Sequence, residues 1–335
     1  MNMRISGKKN HKSSIGSYME KLITGIHHVT IVAGGAQENI DFYAGFLGLR
    51  LVKKTVNFDA EDVYHFYYGD ETGSPGSILT FFPYKGLQSG RHGKGMLNTT
   101  TFSVAASSLD YWLARFDKHG IAYKKPAERF EDELVVYFED TDGVGLELVF
   151  NNRDSRPGFT YGHIPLEHSI KGFYNVEIWE EGYERTAGLL TEQLDHVLIS
   201  EKGNRFRFAA KNEPGNFVDI VCSPDSLKGL PGRGSVHHIA FATPDKAAQE
   251  KVRIRILQRM LNTTPILDRN YFTSIYFREP GGVLFEVATS GPGFSVDESP
   301  EHLGEALKLP AQFEADRESI EKALTPITLD ITKYD

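Results

Sequence analysis

The chain has 335 residues, 40% of them hydrophobic and 24% charged, which is typical of a soluble globular protein. A net charge of −8 without any basic block argues against a nucleic-acid partner. No apolar run approaches the roughly 18 residues of a membrane span. The single cysteine, Cys222, excludes an intrachain disulfide and fits a cytoplasmic protein.

A strand–helix–strands pattern recurs four times along the chain, at intervals of about 65–75 residues. The opening strands are predicted at 25–31, 97–104, 170–179 and 235–241. The helices are predicted at 38–47, 108–119, 183–190 and 245–261. The closing strands are predicted at 49–55, 63–68, 77–82, 133–139, 145–151, 205–210, 217–222, 274–278 and 283–288.

The ends and the middle of the chain differ in composition from these modules. Residues 1–22 are polar and basic and lack the apolar stretch of a secretory signal, so we expect a disordered tail. Residues 153–169 are rich in Gly and Pro and are interpreted as a linker. The sequence thus predicts an N-terminal domain over 23–152, a C-terminal domain over 170–292, and an extension over 293–335.

Two pairs of histidines open the first and the fourth module at equivalent positions, His27-His28 and His237-His238. The last strand of the fourth module carries Glu286 between apolar neighbours, where Glu is an unusual strand residue. Two imidazoles and one carboxylate are the protein ligands of a facial iron site that leaves positions open for substrate and oxygen. Glu147 is the second-module counterpart of Glu286, but no His accompanies it, so we interpret it as a vestigial or structural carboxylate.

Three motifs support a family resemblance: His-His-Val-Thr-Ile at 27–31, Leu-Asp-Arg-Asn-Tyr-Phe at 267–272, and Glu-Pro-Gly-Gly-Val-Leu-Phe-Glu-Val at 279–287. Together with the repeated module, they resemble the vicinal oxygen chelate superfamily of glyoxalases and extradiol dioxygenases. The nearest branch is that of the ring-cleaving, hydroquinone dioxygenase-like enzymes. The resemblance implies an α+β fold of two domains, each with two βαβββ modules that form curved mixed sheets.

The resemblance also implies the metal ligands. In the superfamily the ligand His lies a fixed distance before the Phe of a helical Phe-Tyr pair, here Phe42-Tyr43, which indicates His28. By analogy the other ligands are His238 and Glu286, so the site would join the two halves of the chain. The implied cofactor is Fe(II), and Mn(II) suits the same ligands.

Five further residues are assigned catalytic roles. Resemblance implies that Tyr276 stabilises a substrate oxygen and that Arg269 holds an anionic oxygen. Thr30 lies two residues after His28, so strand alternation places both on one face. His237 is our choice for acid–base work, and His27 is expected to hydrogen-bond to a ligand or the substrate, or to point to the other side of its strand.

These assignments predict a cytoplasmic, Fe(II)-dependent enzyme that inserts O₂ into a hydroquinone-type or catechol-type aromatic diol. The predicted partners are the small aromatic diol and O₂, and the oligomeric state stays open. One alternative is a glyoxalase or thiol-transferase type metalloenzyme, which would need a fourth ligand, usually a second Glu, and none lies near 77–82. The other is a small-aromatic-binding protein with a decayed metal site.

Overall fold

The computed structural model describes residues 20–130, 132–159 and 162–334. It contains two curved, eight-stranded mixed sheets with few helices, which confirms the predicted α+β fold class. Module one comprises β1 (Gly25–Ala33), α1 (Ala36–Ile40), β2 (Arg50–Asn57), β3 (Ala60–Gly69) and β4 (Ile78–Pro83). Module two comprises β5 (Met96–Ala105), α2 (Leu109–His119), β6 (Ala127–Glu128), β7 (Leu134–Glu139) and β8 (Gly145–Asn151).

The second half of the chain repeats the same order of elements. Module three comprises β9 (Phe173–Glu180), α3 (Glu184–Glu192), β10 (Val197–Lys202), β11 (Arg205–Ala209) and β12 (Phe217–Cys222). Module four comprises β13 (Ser235–Thr243), α4 (Lys246–Gln258), β14 (Leu267–Asp268), β15 (Thr273–Arg278) and β16 (Leu284–Thr289). The sequence did not predict β6, β10 and β14. Two of them are only two residues long, and β10 is largely exposed and so lacks the apolar alternation of a buried strand.

The sheets combine modules that are not neighbours in the chain. The first sheet has the order β14-β15-β16-β13-β1-β4-β3-β2, so it joins module four to module one. The second has the order β10-β11-β12-β9-β5-β8-β7-β6, so it joins module three to module two. The division into sequential domains at 23–152 and 170–292 stays a prediction, and neither sheet lies within one of those halves.

Antiparallel pairing of β1 with β13 forms the middle of the first sheet. On β1, His27 has no partner in the register, although Ile26 and His28 on either side of it do. On β13, His237 has no partner, although Val236 and His238 pair with Ile31 and Thr30. An extra residue in one strand turns its side chain away from the regular alternation. Both His pairs therefore lie at irregularities where neighbouring side chains can share one side of the sheet.

The predicted helix over 38–47 is shorter than expected as an α-helix. After α1 the chain continues as a π-helical turn, Asp41–Phe46, which buries Phe42, Tyr43 and Phe46. Gly48, with φ of 68°, then reverses the chain. The apolar spacing predicted a helix here, but the spacing does not distinguish an α-helix from the wider π-helix, which is set by packing in the core.

Residues at both ends of the chain pack on these sheets. Residues 1–19 of the predicted tail lie outside the described residues, whereas Leu22 is buried and its N–H donates to Asp195 at 2.6 Å. The extension contains a short helix, α5 (Arg317–Ala323), and it docks on module one through the buried Lys53, whose ammonium pairs with Asp297 at 2.5 Å. Within the described ranges, no helix is long and apolar enough to cross a bilayer.

Candidate metal centre

Three buried side chains converge on the concave side of the first sheet, one from each of β1, β13 and β16. His28 Nε2 and His238 Nε2 lie 3.1 Å apart. Glu286 Oε2 lies 3.3 Å from the first and 2.9 Å from the second. Among the described residues, these are the one cluster of at least three His, Cys, Asp or Glu side chains that could hold a metal ion.

This triangle has the dimensions of a metal site. A metal–nitrogen distance of about 2.1 Å with right angles between ligands gives ligand separations of about 3.0 Å. The ligand atoms here are 2.9–3.3 Å apart. Glu286 Oε2 is buried and receives no hydrogen bond from any described residue, despite its two imidazole neighbours. Three potential ligand atoms therefore meet at a common point, where a cation would satisfy them.

The hydrogen bonds of His27 fix the tautomer of His28. His27 Nε2 lies 3.1 Å from the carbonyl oxygen of Thr289, which can only accept, so Nε2 must donate. Burial lowers the pKa of His27 to about 3, so the ring is neutral and its unprotonated Nδ1 can accept a hydrogen bond. That Nδ1 lies 2.9 Å from His28 Nδ1, which therefore donates and leaves Nε2 unprotonated for a metal.

Module four repeats this arrangement, with His237 Nδ1 lying 2.8 Å from His238 Nδ1. His237 is exposed to the cavity, whereas His27 is buried behind His28 and does not line the cavity. The alternative that His27 points to the other side of its strand is wrong, because the irregular register turns it toward His28.

Glu286 is fixed by its neighbours on β15 and β13. Its Oε1 accepts a short hydrogen bond from the Ser274 hydroxyl. This hydrogen bond fixes the orientation of the carboxyl group.

A cavity of about 320 Å³ opens beside the triad. Of the residues assigned from sequence, it is lined by His28, Thr30, His237, His238, Arg269 and Tyr276. The Arg269 guanidinium carbon lies 5.5 Å from the centre of the Tyr276 ring and 5.3 Å from that of Phe58. Burial and Glu286 raise the pKa of Tyr276, so its hydroxyl stays protonated as a donor.

The opposite wall of the cavity comes from module one and was missed in the sequence. It includes Asn57, Phe58, Asp59, His65, Tyr67, Phe82 and Tyr84. These residues lie on β2, β3, β4 and their connections, far along the chain from either His pair. A polar residue within a mostly apolar strand, such as His65 on β3, was the available signal, but only the sheet order places it near the metal ligands.

The register also shows what stands at the module-one counterpart of Glu286. Glu286 is opposite Ala240, two residues after His238, and Thr80 is opposite Thr30, two residues after His28. Thr80 thus occupies the position of a fourth protein ligand, and its hydroxyl is hydrogen-bonded to Thr30 at 2.8 Å. A neutral hydroxyl there leaves three strong ligands rather than four.

The second sheet repeats the register of the metal centre with other residues. Glu147 is opposite Thr101 as Glu286 is opposite Ala240, which makes Glu147 the equivalent carboxylate. Asn175 pairs with Thr101 as His28 pairs with Ala240. A carboxylate is therefore retained in the second sheet without the histidines.

In the second sheet, an arginine guanidinium rather than a metal ion supplies the positive charge beside the carboxylate. Arg129 donates to Glu147 Oε2 at 2.5 Å and to Asn175 Oδ1 at 2.9 Å. It follows β6 as Arg269 follows β14, so the two arginines are counterparts. Glu147 is therefore neutralised within the protein, as expected for a structural carboxylate.

Comparisons with known proteins agree with this architecture. A family model described as the Glyoxalase/Bleomycin resistance protein/Dioxygenase superfamily matches residues 25–148. The chain is 41% identical over 308 residues to the Bacillus subtilis protein named "Putative ring-cleaving dioxygenase MhqO", covering 92% of this chain and 98% of that protein. It is 31% identical over 317 residues to the "Chlorohydroquinone/hydroquinone 1,2-dioxygenase" of Sphingobium indicum, covering 92% and 98%.

Solved structures show the same fold. The crystal structure of a "putative dioxygenase" from Bacillus subtilis superposes with a TM-score of 0.89 at 40% identity, covering 93% of this chain and 99% of that one. Glyoxalase I from Zea mays superposes with a TM-score of 0.60 at 14% identity, covering 79% and 92%. At that identity the maize enzyme supports the fold alone.

Proposed function

Because the chain belongs to the glyoxalase/bleomycin resistance protein/dioxygenase superfamily, we propose that it is a ring-cleaving dioxygenase acting on hydroquinone-type diols with Fe(II). The observation that carries this proposal is the three-ligand site with Thr80 at the fourth position. Two His and one carboxylate suit Fe(II) enzymes that need open positions for O₂ and substrate. Mn(II) suits the same ligands.

The charges on the cavity wall suit an ionised aromatic diol. His28, His238 and Glu286 would hold Fe(II), which when bound supplies adjacent positions for an ionised substrate oxygen and O₂. Arg269 adds a positive charge at the cavity edge that favours the ionised oxygen.

Two other side chains handle protons and hydrogen bonds. The Tyr276 hydroxyl is held protonated and can donate to an oxygen that gains charge during reaction. His237 Nδ1 accepts from His238 Nδ1, so the neutral ring carries its proton on Nε2, and because the ring borders the cavity this N–H can donate to a substrate oxygen. Apolar side chains, namely Phe82, Phe272 and Leu284, line the remaining space where an aromatic ring would pack.

The test is oxygen uptake by protein loaded anaerobically with Fe(II), on addition of hydroquinone, with catechol in parallel. We expect uptake with hydroquinone and its loss in His238→Ala, whose metal content should be measured alongside. Uptake with catechol alone would retain the dioxygenase and change the substrate class. Bound metal with no uptake for either diol would refute the proposal.

Thr80 disfavours the glyoxalase-type alternative, because that chemistry needs a fourth ligand and none of the described residues supplies one in this cluster. The buried, convergent triad disfavours a binding protein with a decayed metal site, since nothing in such a protein would require three ligand atoms within 4.8 Å.

A further inference from the structure

The two walls of the cavity are built on the same strand register. Tyr67 on β3 is opposite Thr80, as Tyr276 on β15 is opposite Glu286. His65 lies two residues before Tyr67 and borders the same cavity. Tyr67 is thus the module-one counterpart of Tyr276, and the His65 imidazole lies beside it on the same wall.

These module-one side chains form a continuous chain of hydrogen bonds that ends beside the metal ligands. The Tyr67 hydroxyl lies 2.9 Å from His65 Nδ1, and His65 Nε2 lies 3.0 Å from the Thr80 hydroxyl. The Thr80 hydroxyl lies 2.8 Å from that of Thr30. All four side chains are buried, and Thr30 stands opposite His238 in the sheet.

The direction of the chain follows from which groups are the better donors. Burial lowers the pKa of His65 well below its ordinary value, so one nitrogen of the neutral ring donates and the other accepts. Among the described residues, His65 is the one hydrogen-bond partner of the Tyr67 hydroxyl. A phenol is more acidic than an aliphatic alcohol, so Tyr67 is a better donor and a poorer acceptor than Thr30 at the other end of the chain.

The chain therefore begins at Tyr67 and leaves only the proton of its last hydroxyl without a protein acceptor. Tyr67 then donates to His65 Nδ1, and His65 Nε2–H donates to Thr80 Oγ1. Thr80 in turn donates to Thr30 Oγ1. The Thr30 proton alone remains available, and Thr30 borders the cavity.

We propose that His65 and Tyr67 are positioning residues that hold the Thr30 hydroxyl, through Thr80, as a hydrogen-bond donor to an oxygen of the bound aromatic diol. This role rests on the proposed function. The four side chains of this hydrogen-bond chain are uncharged, in contrast to Arg269 on the other wall, so they orient the diol without competing for the ionised oxygen. Neither residue touches the triad, and both act through Thr30.

The first test removes only the Tyr67 hydroxyl, in Tyr67→Phe. We expect kcat/KM for hydroquinone to fall about three- to tenfold, the effect of one neutral hydrogen bond. The matched control is Tyr68→Phe, because Tyr68 is equally buried and donates to Asn39 at 2.9 Å, away from this chain. The control should change kcat/KM less than about twofold.

A double-mutant cycle separates positioning from a general structural effect. Thr30→Val removes the donor at the end of the chain while keeping its shape. If Tyr67 acts through Thr30, adding Tyr67→Phe to Thr30→Val should produce no further loss. Multiplicative losses in the double variant, with all variants folded by thermal denaturation, would overturn the proposal.

The protonation of His65 can be measured without metal or substrate. Nitrogen-15 NMR of histidine-labelled, metal-free protein should show a neutral His65 protonated at Nε2, with its signals assigned from their absence in His65→Gln. A His65 protonated at Nδ1 would overturn the proposal whatever the enzyme assay shows. Absence of turnover in the unmodified, Fe(II)-loaded protein would instead refute the proposed function alone.

Discussion

Replacement of Arg129 by Met is expected to destabilise the second sheet without changing the metal centre. The Arg129 side chain is 6% exposed and that of Glu147 is 10% exposed, so this ion pair is shielded from water. Arg129 also donates to Glu133, but Glu133 keeps an ion pair with Arg207 and a hydrogen bond from Tyr174. Glu147 would be left with the Thr101 hydroxyl at 3.1 Å.

The expected loss in the free energy of unfolding therefore comes from one buried carboxylate that has lost its cationic partner. Removing one partner of a buried pair typically costs about 3–5 kcal/mol. Adding Glu147→Gln should recover part of that loss, because an unsatisfied neutral amide costs only about 1–3 kcal/mol. As a control, Arg153→Met should cost about 0–1 kcal/mol, because Arg153 and Asp132 are 3.5 Å apart and their side chains are 38% and 51% exposed.

Urea unfolding at pH 7 measures these free energies, with oxygen uptake and metal content recorded for each folded variant. Because Arg129 lies in the sheet that lacks the triad, hydroquinone turnover should be unchanged at temperatures where the variant is folded. A loss of less than about 1 kcal/mol in Arg129→Met would refute the assignment of Arg129 as the internal cation of this sheet. The assignment would also be refuted if the double variant with Glu147→Gln were no more stable than Arg129→Met alone.

Four further outcomes follow from the structure. Thr80→Glu should add a second carboxylate as a fourth ligand, keep bound metal by elemental analysis and lower oxygen uptake at least about tenfold. Unchanged uptake would contradict the assignment of three protein ligands. Tyr276→Phe should lower kcat about 10²-fold with little change in KM, and an effect confined to KM would place the hydroxyl in substrate binding instead. Fe(II) at 100 times Kd should raise the free energy of unfolding by about 2.7 kcal/mol, and the gain should vanish in His28→Ala; an equal gain in that variant would mean that the metal binds elsewhere. For Asp219, burial would raise the pKa but Arg207 outweighs it and lowers the pKa from 3.8 to about 2. The resulting stability, about 2–3 kcal/mol, is present above pH ~4 and lost as pH falls toward about 2, and an unaltered acid-unfolding profile in Asp219→Asn would count against it.

The candidate metal ligands could be predicted because the His pairs and the strand carboxylate are local signals, from which the family resemblance selected one His of each pair. His28 and His238 open equivalent strands, and Glu286 interrupts an apolar strand where a carboxylate is costly unless it has a partner. Strand periodicity and the repeat are properties of short segments, so they appear in the sequence before any tertiary contact is known. The same reasoning identified Thr30, two residues from His28 on the same face.

The partners of these residues depend on sheet order, which short segments do not encode. The histidine pairs touch through their Nδ1 atoms because the β1–β13 register is irregular, a feature of pairing between strands. His65 and Tyr67 border the site because β3 lies two strands from β1 in the same sheet.

The sequence by itself determined the four modules, the two His pairs and the strand carboxylate, since each rests on residue type and spacing within one segment; the choice of His28 and His238 within their pairs rested on family resemblance. The tertiary structure decided that module one pairs with module four, that Thr80 takes the fourth-ligand position, and that Arg129 neutralises Glu147. These features depend on contacts between residues distant in the chain, so the contacts contribute to stability only once the sheets have formed.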